Sequence, residues 1–328
     1  MNILVTGGAG FIGSHLAEGL LAQGHQVVAF DNLATGNLEN VKQLRNNPSF
    51  HLVDGSVLDQ HRLEPLIAEA DQIFHLAAAV GVQLIMERQV ESLESNVQGT
   101  ENVISLAHKL GNKKVILASS SEVYGKSPEV PWIENADILL GPTSFGRWGY
   151  ACSKMLDEFL ALAYHKEFGL PVVILRLFNI VGPRQSSRYG MVIPRLVSQA
   201  ITSQPITVYG NGEQTRCFTY VGDAVDAAIG LSLASEPVGE VINLGNDQEV
   251  TINDLAALIK DTLNSDSPIV HVPYSEAFGA DFEDVVRRVP DVSKIRRYID
   301  FRPSTDLGWV IKQVAHHLQE RPGLAGEK

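Results

Sequence analysis

The sequence offers little from which to build a crosslinked or metal-held fold: two cysteines, Cys152 and Cys217, in 328 residues. Two isolated thiols fit neither a disulfide framework nor a four-ligand zinc site. The expectation is reduced thiols in a cytoplasmic protein, with no metal. Basic residues are also scarce, since 26 Lys and Arg against 38 Asp and Glu leave a net charge of −12. Binding along a nucleic-acid backbone needs a concentrated basic surface, so no nucleic-acid partner is expected. A small anion held by a few local arginines or N–H groups remains compatible, and Arg287-Arg288 and Arg296-Arg297 are read as such local features. Long apolar runs are missing too. The most apolar stretch, Ile73 to Met86, is broken by His75 and Gln83 and falls short of the roughly 20 residues of a membrane span. The N-terminus, Met1-Asn2-Ile3-Leu4-Val5-Thr6, has no basic region and enters a glycine turn at once. Neither a signal peptide nor a membrane segment is therefore expected. With 45% hydrophobic and 20% charged residues, the chain has the composition of a globular protein of roughly two domains or one large one.

Short apolar runs alternate with helix-patterned ones through the first half. Ile3-Leu4-Val5 precedes a helical pattern over about 11–22; residues 26–30 and 50–53 are strand-like; helical residues near 62–69 precede 72–76. A helix over about 91–110 precedes a strand at 114–118, and one over about 150–168 precedes a strand at 172–175. Continuous apolar strands alternating with helices indicate an α/β fold with a doubly wound parallel Rossmann sheet. Ligands of such sheets sit beyond the carboxyl ends of the strands. After Arg176, prolines at 183, 194, 205, 237, 268, 273 and 290 punctuate shorter elements. The expected organisation is a dinucleotide-binding domain over 1–178, completed by about 219–245. A smaller interleaved lobe takes about 179–218 and 246–328.

Thr6-Gly7-Gly8-Ala9-Gly10-Phe11-Ile12-Gly13 joins the first strand to the first helix. Glycine there lets the backbone turn sharply and approach a pyrophosphate, whose charge is favoured at a helix N-terminus. Asp31 follows the second strand, 18 residues after Gly13. A carboxylate at that place accepts hydrogen bonds from a ribose 2′-OH and repels a 2′-phosphate, which favours NAD over NADP. The plainer reading of Asp31, a turn cap, does not explain its spacing from the glycine turn. His75, beside a buried strand, is given no role.

Tyr150 and Lys154 are four apart, so on a helix the ammonium shares a face with the phenol. A free tyrosine titrates near pH 10 and is a poor base at neutral pH. A neighbouring Lys cation and an oxidised nicotinamide would both stabilise its phenolate. Ser119-Ser120-Ser121-Glu122 follows the fifth strand, at the sheet end where a nicotinamide lies. A serine hydroxyl there can donate to a sugar oxygen or steady the phenol's proton; three serines can also simply cap the strand.

The glycine turn at 6–13, Asp31, the Ser120/Tyr150/Lys154 set and Asn96-x-x-Gly99-Thr100 together resemble the extended short-chain dehydrogenase family of NAD-dependent nucleotide-sugar enzymes. The resemblance runs from Met1 to about Trp309. It implies a nucleotide-sugar-binding lobe and a UDP-linked substrate. The cofactor set expected from the turn and the resemblance together is Gly7, Gly10, Phe11, Ile12, Gly13, Asp31, Asn32, Thr35, Gly36, Ser56, Val57, Leu76, Ala77, Ala78, Asn96, Ser119, Tyr150 and Lys154. Many relatives carry Asp where this chain has Ser56.

Within the family, the pair at 121–122 reads Ser-Glu, whereas dehydratases carry Asp-Glu. The stretch Ser120–Gly125, Ser-Ser-Glu-Val-Tyr-Gly, is similar to the UDP-glucuronate decarboxylase branch, which includes the UDP-apiose/UDP-xylose synthases. So are Arg147-Trp148-x-Tyr150-Ala151-Cys152, Gln214-x-Arg216-Cys217-Phe218, and Phe278-Gly279-x-x-Phe282-x-Asp284-x-x-x-Arg288-x-Pro290-Asp291. The resemblance implies catalytic roles for Ser120, Ser121, Glu122, Tyr150, Lys154 and Arg288. It implies substrate contacts for Asn179, Val192, Tyr209, Arg216 and Arg288, with Tyr209 near the uracil. Oxidation at C4 turns a glucuronate into a β-keto acid that loses CO2; Arg288 would hold the carboxylate or enolate charge, and Glu122 would position a water or hydroxyl or act in proton transfer at C5. The plainer reading of Arg288 is a surface arginine paired with Asp284. Where the branch has a Tyr close to the sugar this chain has Phe282, and Met191 and Thr207 align with its Arg and Lys near the diphosphate. A UDP-sugar 4-epimerase is the alternative activity, and a non-catalytic NAD-sensing protein is the alternative from another class. The helix after Tyr150 carries an apolar arc (Cys152, Met155, Leu156, Phe159, Leu160, Leu162, Ala163) wider than one stripe. By resemblance it forms a homodimer core with the helix at about 91–110.

Overall fold

The computed structural model describes residues 1–80, 88–186, 191–278 and 283–320. Its strands are β1 (Asn2–Thr6), β2 (Gln26–Asp31), β3 (Phe50–Asp54), β4 (Gln72–His75), β5 (Lys114–Ser120), β6 (Val172–Leu177) and β7 (Ile180–Val181). Then come β8 (Ile206–Tyr209), β9 (Thr215–Cys217), β10 (Thr219–Tyr220), β11 (Glu240–Leu244), β12 (Glu249–Thr251), β13 (Ile269–Val272) and β14 (Arg287–Arg288). The helices are α1 (Phe11–Ala22), α2 (Gln60–Glu69), α3 (Gln89–Lys109), α4 (Arg147–Phe168) and α5 (Val192–Ile201), followed by α6 (Val221–Leu233), α7 (Ile252–Thr262), α8 (Tyr274–Phe278) and α9 (Leu307–Glu320).

Seven strands form a parallel sheet in the order β11-β6-β5-β4-β1-β2-β3. Strand side chains alternate between faces, and both faces are covered. Ile3 and Val5 of β1 join one core with Leu16 and Leu20 of α1 and Val225 and Ile229 of α6. Leu4 between them joins the opposite core with Leu63, Ile67, Ile104 and Ala161, from α2, α3 and α4. Each such fully buried aliphatic side chain contributes about 1.5–3 kcal/mol. This two-sided burial explains why β1 has no polar alternation in its sequence.

The smaller lobe has its own core, in which α5, α7 and α9 close over Ile206 and Val208 of β8. The chain visits this lobe, returns through α6 and β11 to finish the main sheet, and leaves again. One segment departs from the expected division. Val292, Ile295 and Phe301 pack into the sheet core beside Ile242 and Leu244, because their apolar side chains cover the edge strand β11. Several boundaries also shift for local reasons. α2 starts at Gln60 because Asp59 caps it, its carboxylate accepting from the Arg62 N–H at 3.3 Å. β5 continues through Ser120, so two of the three serines belong to the strand, and Ser121–Tyr124 forms a single 3-10 turn. α4 begins at Arg147, which places Tyr150 in its first turn.

Candidate active site

A cleft of about 570 Å³ runs along the carboxyl ends of the sheet strands and continues between sheet and lobe. At its cofactor end the shape is set by backbone. Gly7 has φ +70°, and a Cβ there would stand 2.9 Å from the Ala77 nitrogen. A Cβ on Gly13 would stand 2.1 Å from the Gly7 carbonyl oxygen, so α1 can start this close to the turn only without side chains. Gly10 caps α1 with no side-chain bond to the first-turn N–H groups, which leaves them for an anion. Phe11 and Ile12 line the same wall.

Asp31 stands at the end of β2 and accepts from the Leu33 N–H at 2.8 Å and the Ala9 N–H at 2.9 Å. Burial raises its pKa despite these bonds. Its remaining lone pairs face the cleft beside Asn32 and Thr35. Gly36 does not line the cleft; a Cβ there would lie 2.7 Å from Asp31 Oδ1, so its role is to let the carboxylate lie flat against the loop. Ser56, Val57, Leu76, Ala77 and Ala78 complete the wall. The Asn96 amide oxygen accepts from the Ala79 N–H at 2.7 Å, which fixes the loop after β4. These groups fit NAD: glycine for close approach, open N–H groups for the pyrophosphate, and a carboxylate for the ribose.

At the centre, Ser119, Ser120, Ser121, Tyr150 and Lys154 all line the cleft. Ser119 donates to Glu158, whose carboxylate is held by Arg176 at 2.7 Å. Ser120 accepts from the Glu122 N–H at 3.2 Å, and its hydroxyl acts to lower the Tyr150 pKa. Burial, with the Glu122 carboxylate adding to it, pushes the Tyr150 phenol above its ordinary range. The Lys154 ammonium is paired with Asp157 at 3.1 Å. A cationic nicotinamide, when bound, would favour the phenolate together with Ser120 and Lys154.

The far end is a buried cluster of charged side chains. Arg288 donates to Glu122 Oε1, and Arg147 donates to Glu122 Oε2 at 3.2 Å. Arg216 grips Asp284 with two bonds of 2.8 Å, and Tyr274 donates to the same carboxylate at 2.8 Å. Arg288 and Arg216 come from directly paired positions of the parallel strands β14 and β9. Arg288 is thus buried rather than superficial, and its contact with Asp284, at 3.8 Å, is the looser of its two. Burial alone would raise Glu122, but the Arg288 and Arg147 guanidiniums hold its carboxyl below the usual range. For Asp284 burial is likewise outweighed, by Arg216 and Arg288. Both carboxylates are ionised at neutral pH, and three guanidiniums against two carboxylates leave one positive charge for an anionic group.

Asn179, Val192 and Tyr209 line the lobe side of the cleft. Asn179 adopts φ +37° and donates from its amide to the Cys217 carbonyl at 3.0 Å, tying β6 to β9. Phe282 and Gly279, which the resemblance singled out, lie outside the described residues. Sequence reasoning missed Arg195, Arg184, Gln214 and Tyr274, all in the cleft wall. Arg195 lies over the Tyr209 ring, 4.1 Å from its centroid, and donates to the Thr207 carbonyl at 2.8 Å. A lone arginine inside the apolar run Val192-Ile193-Pro194-Arg195-Leu196-Val197 was the available signal for it. Met191 also lines the cleft, and Arg195 supplies nearby the positive charge that Met191 and Thr207 lack.

The family model for NAD dependent epimerases and dehydratases matches residues 3–245. The chain belongs to that family. It is similar to a UDP-N-acetyl-alpha-D-glucosaminuronate decarboxylase of Bacillus cytotoxicus, with 43% identity over 97% of each chain. It is also similar to UDP-glucuronic acid decarboxylase 1 of Arabidopsis thaliana, with 37% identity over 94% of this chain and 67% of that one. Among solved structures, the UDP-glucuronic acid 4-epimerase of Bacillus cereus, in complex with UDP-glucuronic acid and NAD, superimposes with a TM-score of 0.88 at 28% identity. That likeness covers 98% of this chain and 99% of the other. The protein is therefore an NAD-dependent enzyme.

Proposed function

We propose that this enzyme decarboxylates a UDP-linked hexuronate through a 4-keto intermediate. The carrying observation is the buried Glu122, Arg147, Arg216, Asp284 and Arg288 cluster beside Tyr150, with its one unbalanced positive charge. NAD, held at the glycine turn and Asp31, would supply a hydride acceptor for C4 of the sugar. Tyr150, whose pKa the Ser120 hydroxyl acts to lower, takes the 4-OH proton. Arg288 and Arg147 face the sugar carboxylate, which the C4 ketone has made a β-keto acid, and carry the charge that develops as CO2 departs. Glu122, kept ionised by the same arginines, has no proton of its own to give and would orient the water that protonates C5. Hydride return gives the UDP-pentose, and early release gives the keto-pentose.

UDP-glucuronate is the substrate expected from the sequence motifs. The 43% identity to an enzyme named for the N-acetylglucosaminuronate form favours the 2-acetamido sugar as a second candidate. The test is to incubate the protein and NAD with each sugar and analyse the products by mass spectrometry and NMR. Loss of a mass equal to CO2 from either sugar supports decarboxylation and names the preferred C2 substituent. Inversion at C4 with no mass change assigns the enzyme as a 4-epimerase instead.

The same reading makes the protein a cytoplasmic homodimer. Leu93 of α3 and Leu156 and Phe159 of α4 are exposed large apolar side chains on two adjoining helices, and a second copy of this chain would cover them. Light scattering on wild type and Phe159→Glu tests this; equal, monomeric masses would refute it.

A further inference from the structure

Glu122 and Arg288 meet in the cleft from segments 166 positions apart. Their own contact is a poor fastening, because a sugar carboxylate at Arg288 competes with Glu122 for the same guanidinium. The ion pair therefore holds least firmly when the reaction needs its geometry. Glu122 lies in the 3-10 turn Ser121–Tyr124, beyond the end of β5. Arg288 is held on one side by β9, opposite Arg216. The residues that follow it are fastened on the other side by Trp132. The Trp132 N–H donates to the Val289 carbonyl at 2.8 Å, and the Trp132 carbonyl accepts from the Asp291 N–H at 2.9 Å.

Asn243, fully buried on β11, joins the two segments. Its amide nitrogen donates to the Trp132 carbonyl at 2.8 Å and to the Asp291 carbonyl at 3.2 Å. Its amide oxygen accepts from the Tyr124 hydroxyl at 2.8 Å. Carbonyls only accept, so both amide protons are committed to them, and the oxygen is left for Tyr124, which must donate. Burial pushes the Tyr124 phenol up to about 12, so that donor persists through the neutral range. The Tyr124 ring stacks on Trp132 with centroids 4.9 Å apart, and the Arg176 guanidinium lies 4.6 Å from the Tyr124 centroid. The Asn243 backbone N–H donates to Glu134 at 2.9 Å. One side chain thus ties the turn that carries Glu122 to the strap that carries Arg288.

The groups for oxidation at C4 are anchored elsewhere. Ser119 and Ser120 belong to the β5–β6 ladder, opposite Arg176 and Leu177, and Tyr150 sits in the first turn of α4. We propose that Asn243, acting through Tyr124 and Trp132, is a positioning residue that fixes the spacing of Glu122 and Arg288 for the decarboxylation step. As the C5–C6 bond breaks, its electron pair passes into the enolate and CO2 leaves. Arg288 has to follow that charge while Glu122 gives up part of its hold on the same guanidinium. The Asn243 clamp keeps both anchors in place while the ion pair between them opens. This deepens the decarboxylase reading and rests on it.

The test follows the two steps separately in the full chain loaded with NAD. Stopped-flow absorbance of NADH reads oxidation at C4. Release of labelled CO2 from UDP-glucuronate, or from its 2-acetamido counterpart, reads decarboxylation. Tyr124→Phe keeps the ring stack and removes only the hydroxyl. In it CO2 release is expected to slow about tenfold while NADH formation stays within about twofold of wild type, so that NADH accumulates. Asn243→Leu removes all three side-chain bonds and should slow CO2 release about a hundredfold in the same selective way. If it does not fold, Tyr124→Phe carries the test alone. A merely structural role would slow both steps alike. Equal slowing of both steps, or unchanged CO2 release in Tyr124→Phe, overturns the clamp and leaves the decarboxylase reading standing. A wild type that releases no CO2 from either sugar overturns that reading, and the clamp with it.

Discussion

At the cofactor end of the cleft, the ligand-facing groups are backbone: a turn in which Gly7 and Gly13 leave no room for a Cβ, and the open N–H groups of α1. At the sugar end they are side chains, and they converge from Glu122 after β5, Arg147 of α4, Arg216 of β9, Asp284 and Arg288 of β14. A backbone site is specified by a short contiguous stretch, and it tolerates little change within that stretch. A side-chain site is assembled from distant segments and is changed one residue at a time. The first recurs wherever a dinucleotide is bound, and the second is where enzymes sharing this fold can diverge.

Substitutions at the two ends should therefore fail differently. The largest effect belongs between them: Tyr150→Phe is expected to lower kcat by about a thousandfold or more, with the NAD dissociation constant little changed. Turnover assays and a cofactor titration check this. Next, Arg288→Leu should cost roughly 10²–10³ in kcat by removing charge stabilisation at the carboxylate, again sparing NAD affinity. It should also uncover Glu122. A carboxyl held low in the folded protein contributes stability above its unfolded pKa and loses it as pH falls through the folded value. Removing Arg288 moves that loss to higher pH, so acid unfolding followed by circular dichroism should begin earlier in the variant.

Gly13→Ala tests the other end. Its Cβ meets backbone, which cannot swing aside, so about 1–3 kcal/mol of stability should be lost together with NAD affinity. The arginine cluster should be untouched, and nucleotide-sugar binding measured by calorimetry should stay near wild type. The smallest effect is a slope. His75, with its pKa lowered to about 3 by burial and by Lys154, favours folding above its unfolded value of 6.5 and ceases to do so as pH falls. Urea unfolding should show about 2 kcal/mol less stability from this residue at pH 5 than at pH 7, and His75→Gln should flatten that difference.

The same contrast explains what was legible in the sequence. The glycine turn, Asp31 and the Tyr150/Lys154 spacing announce themselves because local geometry demands those residues at those intervals. The sheet was readable for a related reason, since strands buried on both faces are continuously apolar. Glu122 and Arg288 are 166 positions apart, and no periodicity links them; only the motif resemblance pointed to both. Arg195 and Tyr274 had no local signal strong enough to mark them.

The two-residue strand β14 has one more consequence. Successive residues on a strand face opposite ways, so Arg288 points into the cluster while Arg287 points outward and pairs with Glu249 at 2.5 Å. A slip of one residue would turn the neighbouring arginine inward in its place. The cleft would keep its guanidinium opposite Arg216, but Glu249 would lose its outward partner. A one-residue insertion ahead of β14 would therefore keep a guanidinium in the cleft, whereas a one-residue deletion would bring Val289 inward and remove it, so the two changes separate the cleft's charge from the mere presence of the strand.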